Sequence, residues 1–266
     1  MKPTMNEATM IQQGIKHVQA HQRALSEKLD FFLSIIDGAK GDPDFCLLRL
    51  ASHASATALT SWYLNGDLEL FKQWSYVSGK LEYVQFKRNP GRWFPAYLLL
   101  MPLMSDNEAL IQWFMHNDLS FDMGKVSDSR TAEFHAYQAL LALRGEWKAL
   151  EERSLSVIGH SAAKMKKYEI DHRFYLALSR HDVDGMESVL QELTSPKIAK
   201  VRNSEQAFGF TEKLIGTHAV IYAKIAWRHG FKLKVNSPWI PEEWLPVSPL
   251  SHYVDPYRFL EDLAIV

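Results

Sequence analysis

The stretch Val157-Ile158-Gly159-His160-Ser161-Ala162-Ala163 holds residue types that a hydrolase uses, a serine with a histidine beside it after a glycine. A nucleophile elbow raises such a serine on a strained turn between a strand and a helix, and it needs small residues on both sides. Ala163 stands where the second glycine belongs, and Trp147–Ile158 has helical spacing with no βα alternation around it. Gly159 therefore reads as a helix C-cap. Ser161 and Lys164 also fit Ser-x-x-Lys, and Ser105-Asp106-Asn107 fits the Ser-Asp-Asn element of penicillin-recognising enzymes. Their order is reversed and no Lys-Thr-Gly strand follows, so Ser105-Asp106-Asn107 is read as a helix N-cap before Glu108. No catalytic residue is assigned, and the chain is not expected to be an enzyme.

Metal and phosphate chemistry find no better footing. His17 and His21 are one helical turn apart, close enough to share a metal, but Val18 stands where a zinc peptidase carries its glutamate, and no third ligand is evident. Asp182-Val183-Asp184-Gly185, near His172 and His181, has the start of a calcium loop without the distant bidentate glutamate, and reads as a turn before a helix. His218 reads as a core histidine with its hydrogen bonds satisfied, and His229 as a helix C-terminal residue that favours the macrodipole when protonated. Glycine-rich phosphate loops are absent. No cofactor and no metal are expected.

Two charged regions are the remaining candidates for partner binding. Lys72, Tyr76, Lys80, Tyr83 and Lys87 recur at three- and four-residue steps, with Arg88, Arg92 and Trp93 beyond them. Such a stripe could neutralise phosphates and stack bases, but a neighbouring apolar face of Phe71, Trp74, Leu81 and Val84 makes it the wet side of an amphipathic helix. Nucleic acid is accordingly disfavoured as a partner. Ser105–Glu133 has the opposite sign, with Asp106, Glu108, Asp118, Asp122, Asp128 and Glu133 against Lys125 and Arg130. Its polar loop Asn117–Ser129 carries one aromatic, Phe121, an anchor for a partner if it points outward. Asp118, Phe121, Asp122 and Asp128 are the candidate contact residues for a basic protein partner; a solvated connector is the other reading.

The elements that must position these residues are helical almost throughout. Met10, Ile15, Val18, Leu25, Leu29, Phe32, Leu33 and Ile36 recur mostly at helical steps, predicting one long helix over Glu7–Asp37 that Gly38 caps. Asp42-Pro43-Asp44 starts a second helix reaching Trp62, and Asn65-Gly66-Asp67 separates it from a third that runs to about Arg88. Further helices are expected near Phe94–Met104, Asn107–His116, Arg130–Arg144, Trp147–Ile158, Ala162–Arg180, Met186–Leu193 and Glu205–His229. Leu-Ala-Leu at 141 and again at 176 precedes a polar turn and an amphipathic helix, an offset of roughly 35 residues, close to the period of stacked helical hairpins. The expected fold is all-α, an irregular multi-helix bundle of solenoid-like, tetratricopeptide-like hairpins. One or two short strand pieces are expected near Lys232–Val235. The tail SPWIPEEWLP, with prolines at 238, 241, 246 and 249, is expected to strap onto the helices through Trp239 and Trp244, while Trp62, Trp74, Trp113 and Trp227 are expected in the core. A single domain over 1–266 is expected, with a subdivision at 117–129 separating 1–116 from 130–266.

Composition bounds the functional classes. The chain has 266 residues, 47% of them hydrophobic and 12% aromatic, enough to bury a sizeable core. A net charge of -1 gives no global attraction to nucleic acid or to anionic membranes. The polar amino terminus lacks a secretory core and no apolar run is long enough to span a bilayer, so a cytoplasmic protein is expected. Cys46, the sole cysteine, lies in FCLLRLA and reads as a small buried hydrophobe.

Glu212–Leu245 is a long helix that ends at a glycine and continues as an extended segment and a proline-punctuated tail. With His229, Gly230, Leu233, Val235, Ile240, Pro241, Trp244 and Leu245 in place, it resembles the carboxy-terminal part of the immunity protein 49 family. The resemblance implies a protein that protects a bacterium against toxins of polymorphic secretion systems, including type VI secretion and contact-dependent inhibition. Its expected partner is a cognate toxin effector domain, bound stoichiometrically in the cytosol with no reaction catalysed. The alternatives are a helical-repeat adaptor for another protein or peptide and, further off, an RNA-binding protein using Lys72–Arg92. Oligomeric state is not readable from the sequence.

Overall fold

The structure, a computed structural model, describes residues 4–160, 163, 165–206 and 209–266, with the backbone alone at 203–206. Its described residues form α-helices and short 3-10 turns and no strand. They fall into two compact units interleaved along the chain: 4–90, 99–114 and 248–266 form one, and 91–98 with 115–247 the other.

The first unit is built on α1 (Met5–Ser26), α2 (Leu29–Ile36), α3 (Pro43–Asn65) and α4 (Leu68–Arg88), with α5 (Leu100–Ser105) and most of α6 (Glu108–Met115). Asp42 caps α3 by accepting from Asp44 and Phe45 N–H, Pro43 takes the first turn, and Gly66 ends the helix in the left-handed region at φ 64°. Small residues along α3, among them Ala51, Ala54, Ser55 and Ala58, are buried on nearly every side, and α1, α2 and α4 pack around them. Gly79 allows a close approach of α4: a Cβ there would meet Leu110 Cδ2 at 2.7 Å and Pro102 Cγ at 3.3 Å.

The long first helix is divided, as α1 stops at Ser26 and α2 starts at Leu29. Leu25, Leu29 and Phe32 keep a helical step across the break, so the apolar period conceals it. Ser26 Oγ donates to the Gln22 carbonyl (2.8 Å) and stands 3.0 Å from His53 Nε2 on α3, a back-bond that competes with the helical ladder.

The second unit holds α7 (Met123–Val126), α8 (Ala132–Arg144), α9 (Trp147–Val157), α10 (Glu169–Ser179), α11 (Val183–Leu193), α12 (Pro196–Gln206) and α13 (Thr217–Arg228). The two Leu-Ala-Leu copies are helix ends of successive hairpins, α8–α9 and α10–α11. Each turn passes through a left-handed residue, Gly145 at φ 68° and His181 at φ 58°. Asp182 caps α11 through Gly185 N–H (2.9 Å) and serves the turn rather than an ion. The helix expected over Glu205–His229 starts later, as α13 at Thr217, and α12 before it, which begins at a Ser195-Pro196 start signal, was not expected. The expected strand at Lys232–Val235 is irregular chain without a ladder. It leads into the strap, where Lys224 on α13, fully buried, donates to the carbonyls of Trp244 (2.9 Å) and Pro246 (3.0 Å), while Trp239 O accepts from Gly216 N–H. Trp239 and Trp244 are buried; Trp62, Trp74, Trp113 and Trp227 are half-buried.

Candidate protein-binding face

Lys72, Tyr76, Lys80 and Tyr83 are buried, so this part of the basic stripe is not a wet helix face, while Lys87 and Arg88 at its end are exposed. The segment 248–264 of the same unit covers it. Lys72 Nζ donates to Asp106 Oδ2 (2.9 Å) and to the Ser248 carbonyl, and Ser248 N–H donates to the same carboxylate (3.2 Å). Gln73 exchanges two hydrogen bonds with the backbone of Val254 (2.7 and 3.0 Å). Lys80 Nζ donates to Asp255 Oδ2 (2.6 Å) and Leu260 O (2.9 Å), and Tyr83 OH to Ala264 O (3.0 Å). Asp106 is thereby withdrawn from the acidic surface: it sits left-handed at φ 55° as the α5 C-cap, with its carboxylate on a buried lysine.

The acidic loop is the opposite case. Asp118 and Asp122 are exposed and Asp128 is half-exposed. Asp118 Oδ1 accepts from Tyr137 OH (3.0 Å) and pairs with Arg144, whose Nε donates to Met115 O (2.8 Å). Asp128 pairs with Arg130 at 2.8 Å, and those hydrogen bonds hold its carboxyl down to about 2. Lys125 and Glu133 pair at 3.2 Å. Asp122 caps α7 through Gly124 and Lys125 N–H (2.9 and 3.4 Å) and makes no ion pair among the described residues. Phe121 does not point outward as an anchor: it is buried against Trp93, Phe94 and Tyr137 at ring distances of 6.3, 5.7 and 5.2 Å. The apolar groups that do point outward are Leu119, 79% exposed, and Met123, 53% exposed, which alternate with Asp118 and Asp122.

A buried polar network holds the base of this loop. Arg153 Nη1 donates to Val126 O and Nη2 to Phe134 O, both at 3.0 Å, its guanidinium lies 3.9 Å over the Phe134 ring, and Nε donates to Gln138. His135 Nε2 lies 3.0 Å from the Ser129 carbonyl, which can only accept, so that nitrogen carries the proton. His135 Nδ1 then accepts from His172 Nε2 (2.8 Å), and His172 Nδ1 accepts from Gln138 Nε2 (3.4 Å). The chain of donors runs one way from Arg153 to Ser129, and both imidazoles are neutral. Desolvation, with the nearby guanidinium of Arg153, holds His135 down to about 4 and His172 to about 3.

The enzyme-like motifs disperse. Val157 ends a helix rather than a strand, and Ser161, Ala162 and Lys164 lie outside the described residues. Ser105 is buried and donates to Pro102 O, while Asn107 Oδ1 caps α6 through Leu110 N–H (2.9 Å). His17 and His21 touch edge-on at 4.5 Å, and no group able to hold a metal occurs among the described residues. His229 Nε2 meets the Ala142 carbonyl at 2.7 Å, and burial lowers its pKa, so it serves as a neutral donor rather than a protonated cap. Cys46 is buried, and burial raises its thiol. No described helix is long and apolar enough to cross a membrane.

The described residues define an all-α, multi-helix protein with no strand among them. The family model Immunity protein 49 matches residues 47–244, and the chain belongs to that family. No curated protein and no solved structure matches it.

Proposed function

We propose that this chain neutralises a cognate toxin domain in the bacterial cytosol by forming a stoichiometric complex, with no reaction of its own. Membership of the Immunity protein 49 family carries this reading. The contact region in the proposal is the 117–129 loop, where Leu119 and Met123 offer desolvation energy and Asp118 and Asp122 offer charge to a basic toxin surface. Many toxins that act on nucleic acid present positive clefts, which carboxylates can cover. Asp118 and Asp128 contribute less than Asp122, because Arg144 and Arg130 already pair with them.

The test is co-expression of this chain with the toxin domain encoded beside its gene, reading survival and co-purification. Rescue with a stoichiometric complex is the expected result. The double variant Asp118→Lys, Asp122→Lys should bind at least ~10-fold more weakly, the cost of placing like charges across an interface. Unchanged affinity in that variant removes the loop from the interface, and absence of both toxicity and complex turns the reading toward a helical-repeat adaptor.

A further inference from the structure

The second unit carries an open groove of about 470 Å³ between the start of α10 and α12. Its floor is apolar: Ile170 is buried, Ile198 half-buried and Val201 exposed. Its rim is basic, with Lys166, Lys167, Arg173 and Lys197 against Glu169 and Glu192. Arg173 and Glu192 pair at 2.7 Å and cancel. Lys166 and Lys197 are exposed and make no ion pair among the described residues, so the rim keeps an excess of positive charge. A buried ion pair ties the two walls together. Arg202 Nη2 on α12 donates to both oxygens of Asp171 on α10 (2.6 and 2.7 Å), and Nη1 donates to Lys167 O (3.3 Å).

The occupant follows from charge and from a second patch on the same unit. An apolar floor under a basic rim suits a segment that combines carboxylates with bare apolar side chains. The 117–129 loop is such a segment, since Asp118 and Asp122 are exposed and alternate with the exposed Leu119 and Met123. The two patches are neighbours. Ser129 O, at the loop's end, accepts from His135 Nε2 (3.0 Å), His135 stacks on Tyr168 at 4.1 Å, and Tyr168 directly follows Lys166 and Lys167 of the rim. Within one chain the loop is tied elsewhere, by Arg144 on Asp118 and Arg153 on Val126 O. An acidic, apolar patch beside a basic, apolar one matches itself after a half-turn, so two copies can exchange loops for grooves in one closed, two-fold contact. We propose that this chain forms such a dimer, with the Asp118–Met123 segment of each copy lying along the Lys166 and Lys197 rim of the other. Toxin and second copy then compete for the loop, a consequence that rests on the toxin-binding reading, whereas the dimer itself does not.

Sedimentation velocity on the full chain at about 1–200 µM should show a monomer–dimer equilibrium that weakens at least ~10-fold between ~50 and ~500 mM NaCl. Two charge reversals test its geometry: Asp118→Lys with Asp122→Lys in the loop, and Lys166→Glu with Lys197→Glu on the rim. The rim variant breaks no side-chain hydrogen bond or ion pair among the described residues and should keep the wild-type circular dichroism. Each variant alone should be monomeric, because like charges then face each other. Mixed, the two should pair one to one, since every contact again joins opposite signs. A wild type that stays monomeric at low salt overturns the inference, as does a dimer that survives both reversals or a pair of variants that do not associate on mixing. Rim reversal should leave toxin capture undiminished, so the two readings fail separately. A monomeric wild type that captures toxin sinks only the dimer, and a dimer restored by mixing in a chain that captures no toxin sinks only the toxin-binding reading.

Discussion

The α4 stripe and the 117–129 loop both offer charged groups and aromatic or apolar companions in sequence, yet they end in opposite states. On α4 Lys72, Tyr76, Lys80 and Tyr83 are buried, and each of Lys72, Lys80 and Tyr83 is met by an acceptor from 248–264. In the loop the aromatic turns inward while Leu119, Met123 and two carboxylates stay out. The difference lies in whether another part of the chain supplies complementary groups. A charged stripe is a surface only where nothing folds over it, and the pairs that close α4 are 176 and 180 residues apart in sequence.

The comparison breaks most visibly at Lys72. Lys72→Met leaves the Asp106 carboxylate, with a fully buried side chain, without its cation, and should cost about 3–5 kcal/mol in urea unfolding. A change under about 1 kcal/mol would mean that the seam is open to water and that α4 and the loop do not differ in kind.

Acid should act on the loop's foundation. His135 and His172 have folded-state pKa values lowered to about 4 and about 3, so the unfolded chain takes up their protons first. Their contribution is complete above about pH 6.5 and is lost as pH falls below it, by about 1.4 kcal/mol per pH unit for each histidine down to its folded value. Unfolding free energies measured from pH 7 to 4.5 should show this slope on top of that from His53, His218 and His229, which burial also lowers, and His135→Gln should reduce it by about 1.4 kcal/mol per pH unit. Equal slopes in the two proteins would show that the imidazoles are not held neutral.

The smallest effect belongs to the exposed face. Leu119→Lys should move stability by less than about 0.5 kcal/mol, since the side chain is 79% exposed, while weakening toxin capture. A large loss of stability would place Leu119 in the loop's own packing and return the loop to the status of a connector.

Local signals account for most of what the sequence made legible. Asp42-Pro43, Gly66 and Asp67 act within a turn of the helix ends they set, so α3 and α4 could be drawn to within a few residues. The family was legible too, because its tail pattern is contiguous. The break between α1 and α2 was hidden by an apolar step of four that continues through it, and α12 was missed although Ser195-Pro196 is a start signal, because few apolar residues follow. The acidic face was half legible: charge placed Asp118 and Asp122, but only packing shows that Phe121 faces in and Leu119 faces out. Asp171 and Arg202, 31 residues apart on different helices, had no signal to join them.

The seam on α4 also has a consequence in time. Ribosomes release α4 long before 248–266, and at roughly 5–20 residues per second the interval is on the order of ten to thirty seconds. Through that interval Lys72, Tyr76, Lys80 and Tyr83 have none of the tail groups that later cover them. The last segment thus closes the first unit only after the rest of that unit has been made.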